Sequence, residues 1–244
     1  AYGSDIYGEP KLAELLNELS KIDGIKWLRV LYAYPNTVTE KLVDTMLNSE
    51  KIVRYIDMPI QHIDPVMLET MNRHGSAEHI RRITRYIREA SPDFILRTTV
   101  MLGFPGETEE DHEENLAFVE EIGFDRLGVF PYSQEEDTPA AEMEDQIAEE
   151  IKEERRDDIM ELQQEIAFEK AESLVGSVLT VMIEGKVADE DAYVGRTYRD
   201  APGVDGYIFV NTTAQLMTGD FVKVLVTGSN EYDLIGEIYH EFTE

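Results

Sequence analysis

The stretch from Phe94 to Asp111 limits what this chain can become more than any other. Phe94 to Leu102 is apolar and β-branched with few polar breaks, which predicts a strand covered on both faces. Gly103, Pro105 and Gly106 then make a sharp turn, and Thr108 with Asp111 three residues on has the form of a capping box opening a helix. Strand, glycine turn and helix start in that order form the carboxyl edge of a parallel-sheet unit, where such folds place their ligands. Phosphate is a poor match: no Lys reaches into the turn, the Walker spacing is absent, and Glu107, Glu109, Glu110 and Asp111 already give that helix end negative charge. A neutral or cationic ligand fits better. Gly103 and Gly106 equally serve a tight turn with no ligand at all.

The same alternation runs through the first two thirds of the chain. Helical spacing is predicted over Pro10–Leu19, from Thr39 through Leu47, over Pro65–Met71, Ala77–Ala90 and Thr108–Ile122. Strands are predicted at Trp27–Tyr34, Ile52–Met58, Phe94–Leu102 and Arg126–Tyr132, which implies a parallel sheet with right-handed crossovers. Pro139 to Glu172 reads as a long acidic helix with Ile147, Ile151, Ile159, Leu162 and Ile166 as its apolar seam and its charges as a solvated face. From Gly176 the period becomes two. Five short segments, at Val178–Ile183, Tyr193–Thr197, Tyr207–Val210, Phe221–Val226 and Tyr232–Tyr239, predict a small barrel of OB-like size. The expected class is α/β, with a first domain over residues 1–172 and a small all-β domain over 173–244.

Charge limits the partners. With 51 acidic against 22 basic residues, a formal charge of −29, the molecule repels polyanions and accepts a basic protein more readily. From Ser173 onward twelve acids, Glu241 and Glu244 among them, face four basic residues, an excess of eight negative charges. There is no cysteine, hence no disulfide and no thiolate metal site. His74, His79, His112 and His240 share no metal spacing and read as surface residues. No apolar run has membrane-spanning length and no signal-peptide pattern opens the chain, so a cytoplasmic location is expected. Ala1 to Asp5 reads as loop, the middle of a longer polypeptide.

Several segments together resemble the radical S-adenosylmethionine methylthiotransferases. Asp57-Met58-Pro59-Ile60-Gln61-His62 resembles the family's D-x-P-x-Q-H at a strand end. Arg97-Thr98-Thr99 through Gly103-Phe104-Pro105-Gly106-Glu107-Thr108 resembles its R-T-x-x-x-x-G-F-P-G-E-T, and Phe130-Pro131-Tyr132-Ser133 with Thr138-Pro139-Ala140 resembles its Y-S-x-x-x-G-T-x-A. The final barrel is similar to a TRAM domain. Val194-Gly195-Arg196-Thr197, Asp200 to Gly206 and Asn230 to Gly236 are most similar to the branch that methylthiolates the β-carbon of an aspartate on a small-subunit ribosomal protein. Two positions depart from the pattern: Asp64 stands where the family has serine and Asp137 where it has glycine.

The resemblance implies a partial TIM-like barrel followed by the TRAM barrel, with S-adenosylmethionine and a 4Fe-4S cluster as cofactors. The family's cluster cysteines are absent here, which implies a C-terminal portion of a longer enzyme, inactive by itself. It places Gln61, His62, Arg97, Gly103, Phe104, Gly106, Pro131 and Tyr132 at the cofactor. Read from the residues alone, His62 is equally a cap on a neighbouring strand end. Arg97, inside an apolar strand, needs a negative partner, either the cofactor's carboxylate or an acid of the barrel. Tyr132, at a strand end, is equally a core aromatic. No side chain is expected to act as general acid, base or nucleophile. The implied client is a basic ribosomal protein on the acidic barrel; a tRNA-modifying relative and a binding module without catalysis are the alternatives.

Overall fold

The computed structural model describes residues 2–240, so expectations placed on Ala1, Glu241 and Glu244 lie outside it. The described chain forms two compact units, one up to Gln164 and one from Glu165. The first holds a sheet in the order β1 (Leu28–Val30), β2 (Ile52–Asp57), β3 (Ile95–Leu102) and β4 (Arg126–Pro131), with every pair parallel. Around it run α1 (Ser4–Tyr7), α2 (Leu12–Ser20), α3 (Glu40–Leu47), α4 (Pro65–Thr70), α5 (Ala77–Ala90), α6 (Glu109–Ile122) and the start of α7 (Glu149–Glu172). This is the parallel α/β arrangement expected from the sequence.

Short polar side chains start the helices. Thr39, Asp64, Ser76 and Thr108 accept from the backbone N–H of Leu42, Met67, His79 and Asp111, and Thr108 with Asp111 completes the predicted capping box. Asp64 thus does what a serine at that place would do. Asp137 sits at φ 63°, the left-handed region where glycine is favoured and Asp is tolerated, which accounts for the second departure from the family pattern. The core lies between sheet and helices, with Met46, Ile56, Ile83, Ile87, Phe94, Phe118 and Phe124 essentially inaccessible.

Five sequence expectations change. Strand β1 has three residues instead of eight, because Val30 pairs with Ile56 one residue before β2 ends, and Leu31 and Tyr32 are exposed. One face of β3 is buried through Leu96, Thr98, Val100 and Leu102, while Arg97, Thr99 and Met101 on the other are only half-buried. The opening loop contains the turn α1, bracketed by Gly3 and Gly8 in the left-handed region. Pro139–Glu172 is not one helix: Pro139–Glu142 is a 3-10 turn, and the next residues are held out of helix by Gly106 N–H on the Asp145 carbonyl and by the Gln146 amide on the carbonyls of Ala140 and Met143. Finally, α7 buries Lys152, Arg155, Ile159, Gln163, Ala167 and Ala171, a stripe that is half polar, and exposes Ile151.

The second unit is the expected closed barrel, β5 (Val178–Lys186), β6 (Ala192–Arg196), β7 (Ile208–Asn211), β9 (Asp233–Ile238), β8 (Phe221–Asn230) in that order. All pairs are antiparallel except β7 with β9. Val181, Ile183, Tyr193, Ile208, Val210, Val224, Val226 and Leu234 fill it. Gly236 lets β9 pass against β8, since a Cβ there would meet Val224 Cγ1 at 2.5 Å and the Leu225 carbonyl at 2.6 Å.

Candidate functional site

The turn after β3 is built by left-handed glycines and one inward carboxylate. Gly103 (φ 68°) donates its N–H to Glu107 Oε2 at 3.0 Å, and Gly106 (φ 85°) donates to the Asp145 carbonyl at 2.9 Å. Glu107 is buried. Its other oxygen takes Arg155 Nη1 at 2.7 Å, and Arg155 Nη2 lies 3.3 Å from Glu109. Asp111 is occupied by the N–H and hydroxyl of Thr108. Three of the four carboxylates are therefore paired or engaged in capping, with Glu110 exposed, and the attraction for a cation read from their number is weaker than the sequence suggested.

On the β2 side, Gln61 stands at φ 70° and bridges β3: its N–H donates to the Thr99 carbonyl at 2.9 Å and its carbonyl accepts from Met101 at 2.8 Å. His62 next to it is wholly buried. Nδ1 lies 3.0 Å from the N–H of Asp64, and Nε2 lies 2.7 Å from the Asn115 amide and 3.6 Å from Glu107 Oε2. Asn115 also accepts from Ile63 N–H through Oδ1 at 3.1 Å. The imidazole thus braces the β2 loop against α6 and the Glu107 turn.

Across the edge, Tyr132 follows β4 and Phe104 meets its ring edge-on at 5.2 Å between centroids. Both are buried, as is the Tyr132 hydroxyl, which has no hydrogen-bond partner here. Lys152 of α7 reaches the Tyr132 carbonyl with its ammonium at 3.0 Å, and its stem fills the space a side chain at Gly103 would need. Pro131 pairs in register with Leu102. The structure thus brings Gly103, Phe104, Gly106, Pro131 and Tyr132 to one edge, with Gln61 and His62 beside them. Arg97 lies elsewhere. It precedes Gly103 by six residues of extended chain, roughly 20 Å at about 3.3 Å each, and donates to Asp57, its register partner on β2, at 2.8 Å. The negative group its position demanded includes an acid of the sheet.

Sequence reasoning missed Glu107 as a buried group, and with it Asn115, Lys152 and Arg155. It also placed His112 on the surface, whereas His112 is buried with Nε2 3.1 Å from Asp158 Oδ2. Lys152, Arg155 and Gln163 follow helical spacing with Ile159 on α7, but that face carries too few apolar residues to mark it in the sequence as buried. Among the described residues no group of three or more His, Asp or Glu is arranged to hold a metal ion, and no helix is long and apolar enough to cross a membrane.

A model of the radical SAM superfamily matches residues 2–119 and a TRAM domain model matches residues 175–238. The chain carries a radical SAM domain followed by a TRAM domain. This radical SAM chain is 52% identical, over 96% of its length and 53% of the relative's, to the ribosomal protein uS12 methylthiotransferase RimO of Lachnoclostridium phytofermentans. It is 46% identical, over 98% of its length and 55% of the relative's, to the protein of the same name from Alkaliphilus oremlandii. It spans about half the length of the curated relatives it matches. A solved Escherichia coli coproporphyrinogen III oxidase overlaps 68% of the radical SAM chain and 37% of its own, at TM-score 0.47 and 21% identity, too distant to build on.

Proposed function

We propose that the protein containing this chain adds a methylthio group to the β-carbon of an aspartate on ribosomal protein uS12, in the cytoplasm, by radical S-adenosylmethionine chemistry. The observation that carries this is the 52% identity to a relative of that name over nearly the whole chain. With S-adenosylmethionine and a reduced 4Fe-4S cluster bound, the full-length protein would have the one-electron chemistry needed to break an unactivated C–H bond. The cluster does not fit the residues present: its iron needs thiolates and this chain has none, so the ligands come from sequence beyond it and the chain alone is inactive.

The adenosyl part fits better. A buried hydroxyl without a partner costs about 1–3 kcal/mol, and Tyr132 carries one next to the apolar wall of Phe104. In this reading Phe104, Pro131 and Tyr132 take the adenosyl group, Gln61 offers its half-buried amide, and His62, Gly103 and Gly106 hold the shape of the edge, their own polar groups being engaged. Arg97 stays with Asp57. The chain's work is to orient the cofactor and exclude water, and no side chain moves a proton. The client docks on the acidic barrel, where Asp189, Glu190, Asp191, Glu231 and Glu237 are exposed against only Lys186 and Lys223.

The test is to reconstitute the full-length protein anaerobically with iron and sulfide, add dithionite as the one-electron reductant together with S-adenosylmethionine and uS12, and map the mass of uS12 peptide by peptide. One methylthio group on an aspartate supports the reading. Unmodified uS12, or modification of tRNA instead, overturns it.

A further inference from the structure

Two cations on one turn of α7 do something the charge pattern does not announce. Lys152 and Arg155 are each 6% exposed, in a helix whose other charges are mostly solvated. Burying them is costly unless each is paired. Lys152 touches both loops of the candidate site: its stem packs where Gly103 has no side chain, and its ammonium donates to the carbonyl of Tyr132 at 3.0 Å and to Glu149 at 3.0 Å. Arg155 holds the far end of the first loop, donating to the Glu107 carboxylate at 2.7 Å and its carbonyl at 3.3 Å. Glu107 in turn receives Gly103 N–H and lies against His62. The glycine at 103 is therefore required by Lys152, apart from any approach of a ligand.

We propose that Lys152 and Arg155 are positioning residues that fix the gap between the loop Gly103–Glu107 after β3 and the Pro131–Tyr132 end of β4. The first turns of α7 thereby set the width of the edge on which an adenosyl ligand lies. The identity of that ligand rests on the function proposed above; the clamp itself does not.

The experiment uses this chain with two variants chosen to keep volume. Lys152→Met keeps the unbranched stem and removes the ammonium, and the double change Glu107→Gln with Arg155→Met replaces the buried ion pair by neutral groups of similar size. Amide hydrogen exchange at Gly103 and Tyr132 is followed by NMR, and S-adenosylhomocysteine affinity by calorimetry. In a folded Lys152→Met variant both amides are expected to exchange about tenfold faster and the ligand to bind about tenfold more weakly, the loss of one hydrogen bond from a charged donor. The double variant is expected to loosen Gly103 more than Tyr132. Exchange unchanged in both variants overturns the clamp. If the unaltered chain does not bind S-adenosylhomocysteine, the adenosyl reading fails at this edge, and the exchange rates alone decide whether α7 positions the loops.

Discussion

The closed barrel and the parallel sheet hold their loops by different means. In the barrel the strand ladder returns on itself and two connecting loops are tied by their own carboxylates, Asp205 accepting from Ala201 N–H and Asp220 from Met217 N–H, while Asp233 at the start of β9 accepts from Tyr207 N–H. In the sheet, β1 and β4 have open outer edges among the described residues, and the loops after β3 and β4 are held by side chains from α7, far along the chain. The barrel's ties occupy acidic side chains that are then less available for direct contact with a partner. Four of the barrel's acids, Asp200, Asp205, Asp220 and Asp233, accept from neutral hydroxyl or N–H donors, so they keep their charge but offer fewer free oxygens for direct contact with a partner.

This contrast can be broken most forcibly at Arg155. Arg155→Ala leaves Glu107 buried with its main partner gone, and a loss of about 3–5 kcal/mol in denaturant unfolding of the first unit is expected, since one half of a buried pair is stranded. In the barrel the ladder itself is the weak point. Gly236→Ala has no flexible neighbour to yield and is expected to cost about 1–3 kcal/mol, the range for overpacking, read in the unfolding of the second unit. Next comes a purely local tie: Thr108→Ala, which removes the capping box, is expected to cost about 1 kcal/mol in the unfolding of the first unit. A similar loss of about 1 kcal/mol is expected for Asp205→Asn, which weakens the bond to Ala201 N–H but leaves its geometry.

The smallest effect concerns a surface pair. The hydrogen bond from Lys41 holds the Glu14 carboxyl down at about 2 against an ordinary 4.5, so whatever it adds to stability is complete above pH 4.5 and lost as pH falls toward 2. Because the pair is exposed, Lys41→Met is expected to lower stability at pH 7 only slightly, with the NMR titration of Glu14 moving up toward 4.5.

Much of the candidate site's frame was legible in advance. The turn at Gly103–Gly106 and its capping box are fixed by residues within a few positions of one another, as are the caps at Thr39 and Ser76, so their signals survive in the linear pattern. The groups that fill the frame were not. Glu107 looked like one of four helix-end acids because its partner Arg155 lies 48 residues away, and His62 looked open because Asn115 lies 53 residues away.

By itself the sequence determined the order of most elements and the parallel sheet followed by a closed barrel, because periods of two and 3.6 are local properties, and its quoted motifs carried the resemblance to the family. Only the tertiary structure decided which charges are buried, that Arg97 meets Asp57, and that α7 closes on the loops of the site. A buried ion pair between distant residues has the same composition as two solvated charges, and what distinguishes them is the water that folding removes.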